Sequence, residues 1–138
     1  RENIHCITMP CFGTTDRTYT NACTMAKKTG ASLTEINIRD AVTGHFKDIN
    51  HDIEKHDVTY ENGQARERTQ DLNGYCKRGR WYGQSVRDMS ELALGWATYN
   101  GDHMSMYGVN ASVPKTLVRH LVRYYADTAA KRNFPMCF

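Results

Sequence analysis

The feature that most constrains the fold is a strand–helix–strand pattern in the first 38 residues. Ile4 to Met9 is an apolar, β-branched run ended by proline, which predicts a buried strand. Thr14 or Thr15 can cap a following helix, whose apolar residues recur at helical spacing until Gly30 ends it. Leu33 to Ile38 then predicts a second strand. Because such a unit returns its second strand parallel to the first, we expect an α/β protein with a parallel sheet.

Helical patterns continue through the rest of the chain. Apolar spacing predicts helices over Asp40–Ile53, Val58–Gln70 and Asp88–Trp96, and a last helix that begins near Pro114. The segment from Asp71 to Gly83 holds three glycines and no clear period, which predicts a loop. The last helix is expected to turn these residues inward: Leu117, Val118, Leu121, Val122 and Tyr125.

Composition excludes several classes of protein. A length of 138 residues predicts one compact domain, and a net charge of +3 from charges of both signs does not indicate a nucleic-acid partner. No apolar run approaches the roughly eighteen residues of a spanning helix, so no membrane partner is predicted. Five cysteines without a CxxC pair indicate reduced thiols and a cytoplasmic protein.

Two clusters suggest chemistry from residue types alone. Lys77–Tyr82 mixes basic and aromatic residues, which could clamp phosphates and stack bases, although a solvated loop is the simpler explanation of one short cluster. Glu91, the pair Gly101-Asp102 and Lys115 could together hold Mg²⁺ and a nucleotide phosphate, or they are ordinary surface charges. The six histidines show no zinc-like spacing with a second ligand, so a metal–histidine site is not predicted.

Longer strings of the sequence resemble one known family. The blocks occur in the family's order over most of residues 1–70 and 88–126, so a chance match is very improbable. The blocks are Met9-Pro10, Thr18 to Ala22, Asp57 to Asn62, Gln64 to Thr69, and Ser90 to Leu117. They resemble the synthetase domain of glutamine-dependent NAD(+) synthetases.

The resemblance implies a fold and a reaction. The fold is a Rossmann-like adenine nucleotide alpha-hydrolase fold, an α/β parallel sheet flanked by helices, here incomplete. Members of the family are ligases that use ATP to convert the carboxylate of deamido-NAD(+) into an adenylate, with release of pyrophosphate. Ammonia made from glutamine by a separate glutaminase domain then displaces AMP to give NAD(+). Positive charge from Mg²⁺ and a lysine would stabilise the transferring phosphate.

The same resemblance assigns residues to this chemistry. Asn62, Arg66 and Glu91 match positions at the deamido-NAD(+) site, and Glu91 also matches the Mg²⁺ position. Trp96 and Asp102 lie in the same block and are carried over with them as substrate-binding residues. Two further positions correspond to contacts with ATP, namely Lys115 and Val86, where the family has a threonine. No catalytic residue is assigned.

The chain also departs from the family. The Ser-Gly-Gly-x-Asp-Ser phosphate loop would lie before Arg1, and residues 71–87 and 129–138 do not fit the family pattern. Val86 cannot donate the threonine's hydrogen bond, and the charges of Lys77–Arg80 would be costly in a buried strand, so this segment should loop out or disturb the sheet. We therefore expect 1–138 to be part of a synthetase domain, inactive by itself and from a protein that is a homo-oligomer at full length.

Two alternatives remain from the sequence. One is another PP-loop ATP-dependent amidating ligase, which would adenylate a different acid. The other is a non-catalytic module that binds RNA through the basic and aromatic residues of Lys77–Tyr82.

Overall fold

A computed structural model describes residues 3–85, 87–101 and 104–131 of the chain. These residues fall into two compact units. The first lies within Arg1–Ile36 and Lys115–Phe138, and the second lies within Asn37–Pro114.

The first unit contains the predicted strand–helix–strand element. Strand β1 (His5–Thr8) pairs in parallel with β2 (Ser32–Glu35), and helix α1 (Asp16–Thr29) joins them. The side chain of Thr15 accepts a hydrogen bond from the backbone N–H of Thr18, which caps the helix. Gly30 ends it with a φ of 74°, a left-handed conformation that glycine adopts without steric cost. The predicted parallel α/β element is therefore confirmed.

Both strands differ from their predicted form. β1 is half-buried rather than buried, because its described sheet has only one neighbouring strand, β2. β2 ends at Glu35, so the prediction that it reaches Ile38 was wrong. The backbone N–H of Ile36 still donates to the carbonyl of Thr8 (2.9 Å), but Ile38 is the N-cap residue of the next helix and is buried there. Alternating apolar residues cannot reveal where one unit ends and the next begins.

Helix α5 (Lys115–Lys131) forms where it was predicted, but its apolar face is not turned inward. The exposed fractions of Leu121, Val122 and Tyr125 are 51%, 54% and 68%, Leu117 is also exposed, and only Val118 is half-buried. An amphipathic pattern predicts which face of a helix is apolar, not whether another element covers it. The prediction of an inward face is therefore wrong for the described part of this unit.

The second unit has its core between two helices, α2 (Arg39–Asp48) and α3 (Val58–Gly79). The buried ring of Phe46 stacks against Tyr60 with 5.9 Å between ring centres, and it meets His51 edge to face at 5.1 Å. Ile38 and Val42 are buried beside this contact, at the start of α2. Helix α2 is shorter than predicted, since its last residue is Asp48 and not Ile53.

Helix α3 is much longer than the sequence predicted. It continues to Gly79, so the prediction of a loop from Asp71 was wrong over its first nine residues. Cys76 is buried and Leu72 is half-buried four residues before it, so an inward face continues through this part of the helix. Arg80 ends the helix in a left-handed conformation with φ 56°. The charged residues Lys77 and Arg78 lie exposed on the last turn, and their charge is therefore not buried in a strand.

Short elements complete this unit. Strand β3 (Gln84–Ser85) pairs in parallel with β4 (Tyr107–Gly108), and helix α4 (Met89–Ala93) lies between them in sequence. Helix α4 is shorter than the predicted Asp88–Trp96 because Leu94 is already its C-cap residue. In the described parts of the chain, no helix is long and apolar enough to cross a membrane.

Candidate functional site

Helix α3 carries two of the predicted substrate-binding residues, Asn62 and Arg66, one turn apart. The carboxylate of Asp57 caps this helix by accepting hydrogen bonds from the backbone N–H groups of Thr59 (2.9 Å) and Tyr60 (3.2 Å). Burial acts to raise the pKa of Asp57, but these N–H groups and Lys55, whose ammonium lies 3.2 Å away, lower it overall. The start of α3 is thus held by an ionised cap.

Two hydrogen bonds fix the segment 98–101 to α3. The hydroxyl of Thr98 donates to Oδ1 of Asn62 at 3.1 Å. The Nε–H of Arg66 donates to the backbone carbonyl of Tyr99 at 3.2 Å. Both predicted residues therefore contact the same short segment, which lies inside the sequence block that resembles the family. The structure brings Asn62 and Arg66 together with this segment.

Glu91 lies in a capping box at the start of α4. Its backbone N–H donates to the side chain of Asp88 (3.0 Å), and the backbone N–H of Asp88 donates to Oε2 of Glu91 (3.3 Å). The backbone N–H of Trp96 donates to the carbonyl of Glu91, and the guanidinium of Arg87 donates to the carbonyl of Trp96. The indole of Trp96 is 75% exposed, so its backbone is fixed while its ring faces solvent.

A cleft of about 510 Å³ runs along α3. Arg66 and Lys77 are eleven residues apart in the helix, which places them about 16 Å apart on the same face. Carboxamides stand between and opposite the two cations, so the cleft is suited to an anionic and polar ligand. The residues that line it are Arg66, Thr69, Gln70, Asn73, Gly74, Lys77, Asn100 and Met104.

The basic and aromatic cluster Lys77–Tyr82 does not form one continuous surface. Lys77 lines the cleft, whereas the guanidinium carbon of Arg78 lies 5.0 Å from the centre of the Tyr75 ring. The ring of Trp81 packs on the same tyrosine, with 5.3 Å between ring centres. These contacts hold the side chains of Arg78 and Trp81 against the ring of Tyr75.

The remaining predicted residues lie elsewhere. Lys115 is exposed in the first turn of α5 and belongs to the first unit. Val86 and Asp102 are outside the described residues. The structure therefore places Asn62, Arg66, Glu91 and Trp96 in one unit, with Glu91 and Trp96 joined through their backbones.

The carboxylate of Glu91 suits a Mg²⁺ ion that is bound together with a nucleotide. In residues 3–85, 87–101 and 104–131, no group of three or more His, Cys, Asp or Glu side chains could hold a metal ion. A complete protein cage is thus not present in this part of the chain. Mg²⁺ bound to nucleotides takes one or two carboxylates and completes its shell with phosphate oxygens and water, which a single carboxylate such as Glu91 can satisfy.

Sequence reasoning did not identify Thr98, the carbonyl of Tyr99 or the carboxamides of the cleft as parts of this site. Thr98 and Tyr99 stand in the block that resembles the family, so their position was a usable signal. Asn73 was missed, and Lys77 was singled out without being placed beside Arg66, because their segment was predicted to be a loop. A helical period carried past Gln70 would have placed both of them on the face of Arg66.

Comparison with known proteins gives a consistent family match. The model of the NAD synthase family matches residues 1–132. The glutamine-dependent NAD(+) synthetase of Mycobacterium leprae is 44% identical over 129 residues, which are 90% of this chain and 19% of that protein. The chain thus spans about a fifth of the length of the curated relatives it matches.

Solved structures agree with the family match. The glutamine-dependent NAD+ synthetase of Acinetobacter baumannii, solved in complex with ADP, superposes with a TM-score of 0.81 at 27% identity, over 88% of this chain and 23% of that one. The enzyme of the same name from Cytophaga hutchinsonii gives a TM-score of 0.77 at 25% identity, over 92% of this chain and 22% of that one. The predicted α/β fold, the Rossmann-like adenine nucleotide alpha-hydrolase fold, is therefore confirmed in an incomplete form.

Proposed function

The chain belongs to the NAD synthase family, and from that premise we propose that it is part of a ligase that amidates deamido-NAD(+) to NAD(+) with ATP. The observation that supports this most directly is the pair of hydrogen bonds that fixes Asn62 and Arg66 to the segment 98–101, beside a cleft lined by cations and carboxamides. A dinucleotide with two phosphates and many hydroxyl groups suits such a lining.

The proposed reaction has two steps. The carboxylate of deamido-NAD(+) attacks the α-phosphate of ATP, which forms an acyl adenylate and releases pyrophosphate. Ammonia then attacks the acyl carbon and displaces AMP, which leaves the amide of NAD(+). Both steps pass through negative charge on a phosphoryl or acyl oxygen, and fixed cations and N–H donors lower their barriers.

The residues take the following roles in the proposal. Asn62 and Arg66 bind deamido-NAD(+) from α3, together with Trp96, Asp102 and Glu91. Glu91 also supplies a carboxylate to Mg²⁺, which would neutralise the phosphates of ATP when it is bound. Two positions contact ATP, Lys115 through its ammonium and Val86 without the hydrogen bond that a threonine would donate.

The partners and the cellular location belong to the same proposal. Two curated relatives are named as glutamine-dependent enzymes, so a glutaminase domain of the full-length protein would supply the ammonia. We further propose a cytoplasmic protein that assembles as a homo-oligomer at full length. Because the chain spans about a fifth of its relatives' length, we expect no complete turnover from these 138 residues.

Calorimetric titration of the chain with deamido-NAD(+), with and without Mg-ATP, tests the proposal. The Arg66→Ala variant should bind about tenfold more weakly or worse, because it removes charged hydrogen bonds to the ligand. Glu91→Ala should bind more weakly chiefly when Mg-ATP is present. Arg17→Ala is the matched control, since Arg17 is an exposed cation on α1. A folded wild-type chain that does not bind deamido-NAD(+), or equal binding by Arg66→Ala and Arg17→Ala, would contradict the proposal.

A further inference from the structure

A hydrogen bond between two side chains joins Asn62, in the second turn of α3, to a residue 36 positions later. The hydroxyl of Thr98 donates to Oδ1 of Asn62 at 3.1 Å, and both side chains are half-buried. A carboxamide can turn either its oxygen or its nitrogen toward a neighbour, and the two arrangements offer opposite hydrogen-bonding groups on the other side. The partner of Oδ1 therefore determines what Asn62 offers to a ligand.

With Oδ1 directed at Thr98, the Nδ2 group of Asn62 turns away from that segment. Among the described residues, no side chain or carbonyl accepts a hydrogen bond from Nδ2 of Asn62. Both of its N–H groups are therefore available to a ligand. Asn62 lies one turn before Arg66, which lines the cleft, so the two residues present N–H donors from neighbouring turns of one helix.

Thr98 is itself held in place by close packing. A Cβ built on the buried Gly101 would lie 2.9 Å from Cγ2 of Thr98, so only glycine fits against this side chain. The backbone N–H of Gly101 donates to the carbonyl of Thr98 at 2.9 Å. The hydrogen bond from Arg66 to Tyr99 fixes the next residue of the segment. The hydroxyl of Thr98 is thus a rigid reference point for the amide of Asn62.

We propose that Thr98 is a positioning residue that presents Asn62 to the substrate as a hydrogen-bond donor. The substrate group opposite Asn62 is then an acceptor, such as a carboxylate, phosphate or hydroxyl oxygen. Thr98 acts through Asn62 and does not itself touch the substrate. This inference rests on the proposed function, because it takes Asn62 to be a ligand of deamido-NAD(+).

Two substitutions at Thr98 separate the hydroxyl from the shape of the side chain. Thr98→Val keeps the shape and removes the donor, whereas Thr98→Ser keeps the donor. In titrations with deamido-NAD(+), Thr98→Val should bind about three- to tenfold more weakly, which corresponds to the loss of one oriented hydrogen bond, and Thr98→Ser should recover most of the affinity. Thr20→Val is the control, because Thr20 is exposed on α1. Equal affinity of Thr98→Val and the wild type overturns the proposal, as does failure of Thr98→Ser to recover binding.

A second measurement does not depend on ligand binding. The side-chain amide resonances of Asn62 in a ¹H–¹⁵N spectrum should shift in Thr98→Val and stay near their wild-type positions in Thr98→Ser and Thr20→Val. Unchanged Asn62 resonances in Thr98→Val overturn the positioning role, even in a chain that binds no ligand. A wild-type chain that binds no deamido-NAD(+), but whose Asn62 resonances shift as expected, contradicts the proposed function and supports the role of Thr98 in orienting Asn62.

Discussion

Gly63 and Gly74 lie in the same helix and should respond to the same substitution in opposite ways. Both are residues of α3, three turns apart. A Cβ added at Gly63 would meet the ring of Phe46, at 2.6 Å from Cε1 and 3.2 Å from Cζ. A Cβ added at Gly74 would meet nothing within 4 Å. The pair thus separates the effect of packing from the effect of helix propensity.

The expected sizes follow from these contacts. Replacing a glycine inside a helix by alanine stabilises the protein by about 0.5–1 kcal/mol when nothing is in the way. At Gly63 the new methyl group must displace Phe46, which is 2% exposed and packed between Tyr60 and His51. Such overpacking costs about 1–3 kcal/mol. We therefore expect Gly74→Ala to raise the free energy of unfolding, and Gly63→Ala to lie about 1–3 kcal/mol below it.

Urea denaturation followed by circular dichroism measures both variants. A third protein, Phe46→Leu, provides the internal test, because a smaller side chain leaves room for the methyl group. In that background, Gly63→Ala should no longer be more costly than Gly74→Ala, which is a coupling between neighbouring residues. If Gly63→Ala stabilises the wild-type chain as much as Gly74→Ala does, the described contact of α2 with α3 is wrong.

Three further outcomes are expected. Burial raises the pKa of Asp57, but hydrogen bonds from backbone N–H groups lower this pKa overall from its ordinary value of 3.8. The ionised carboxylate therefore stabilises the folded chain above pH 3.8, and this stabilisation is lost as the pH falls through the lower pKa of the folded state. Asp57→Asn should therefore show a smaller loss of melting temperature between neutral and acidic pH than the wild type. Asp88→Ala should destabilise α4 by about 1 kcal/mol, because the helix loses its N-terminal cap. Weaker binding of Mg-ATP by the fully folded variant would show that Asp88 also orients Glu91. Burial raises the pKa of the Cys76 thiol, so Cys76 should be alkylated more slowly near neutral pH than the half-buried Cys23. Mass spectrometry after brief alkylation measures both rates, and equal rates would contradict the buried position of Cys76.

The sequence predicted the elements whose signals are local. The helix cap, expected at Thr14 or Thr15, and the glycine that ends α1 follow from neighbouring residues, and the parallel pairing of β1 with β2 follows from the short strand–helix–strand connection. It failed where the outcome depends on a distant partner. The length of α3 depends on burial of its Cys76 face, and glycines that favour a loop in isolation are tolerated once the helix is packed.

The candidate site shows the same division. Asn62 and Arg66 were predicted because they stand in strings that resemble a family, and the structure adds which atoms each of them contacts. The hydrogen bond of Thr98 to Asn62 joins residues 36 positions apart, so no local pattern could have predicted it. Helix α5 is the opposite case. Its apolar spacing correctly predicted a helix with an apolar face, but that spacing carries no information on whether another element covers the face, which is exposed.

The packing at Gly63 and the geometry of the site are mechanically linked through α3. Gly63 follows Asn62 directly, and a Cβ at position 63 would lie 2.6 Å from Cε1 of Phe46, so a larger residue would force α3 or the ring of Phe46 to move. The bonds from Thr98 to Asn62 (3.1 Å) and from Arg66 to Tyr99 (3.2 Å) are already at the long end of the hydrogen-bond range. If α3 moves relative to the segment 98–101, both bonds lengthen or become misaligned, and hydrogen bonds weaken steeply once they are misaligned. Glycine at position 63 is required by the core, and we expect Gly63→Ala also to alter the Asn62 amide resonances under conditions in which the variant remains folded.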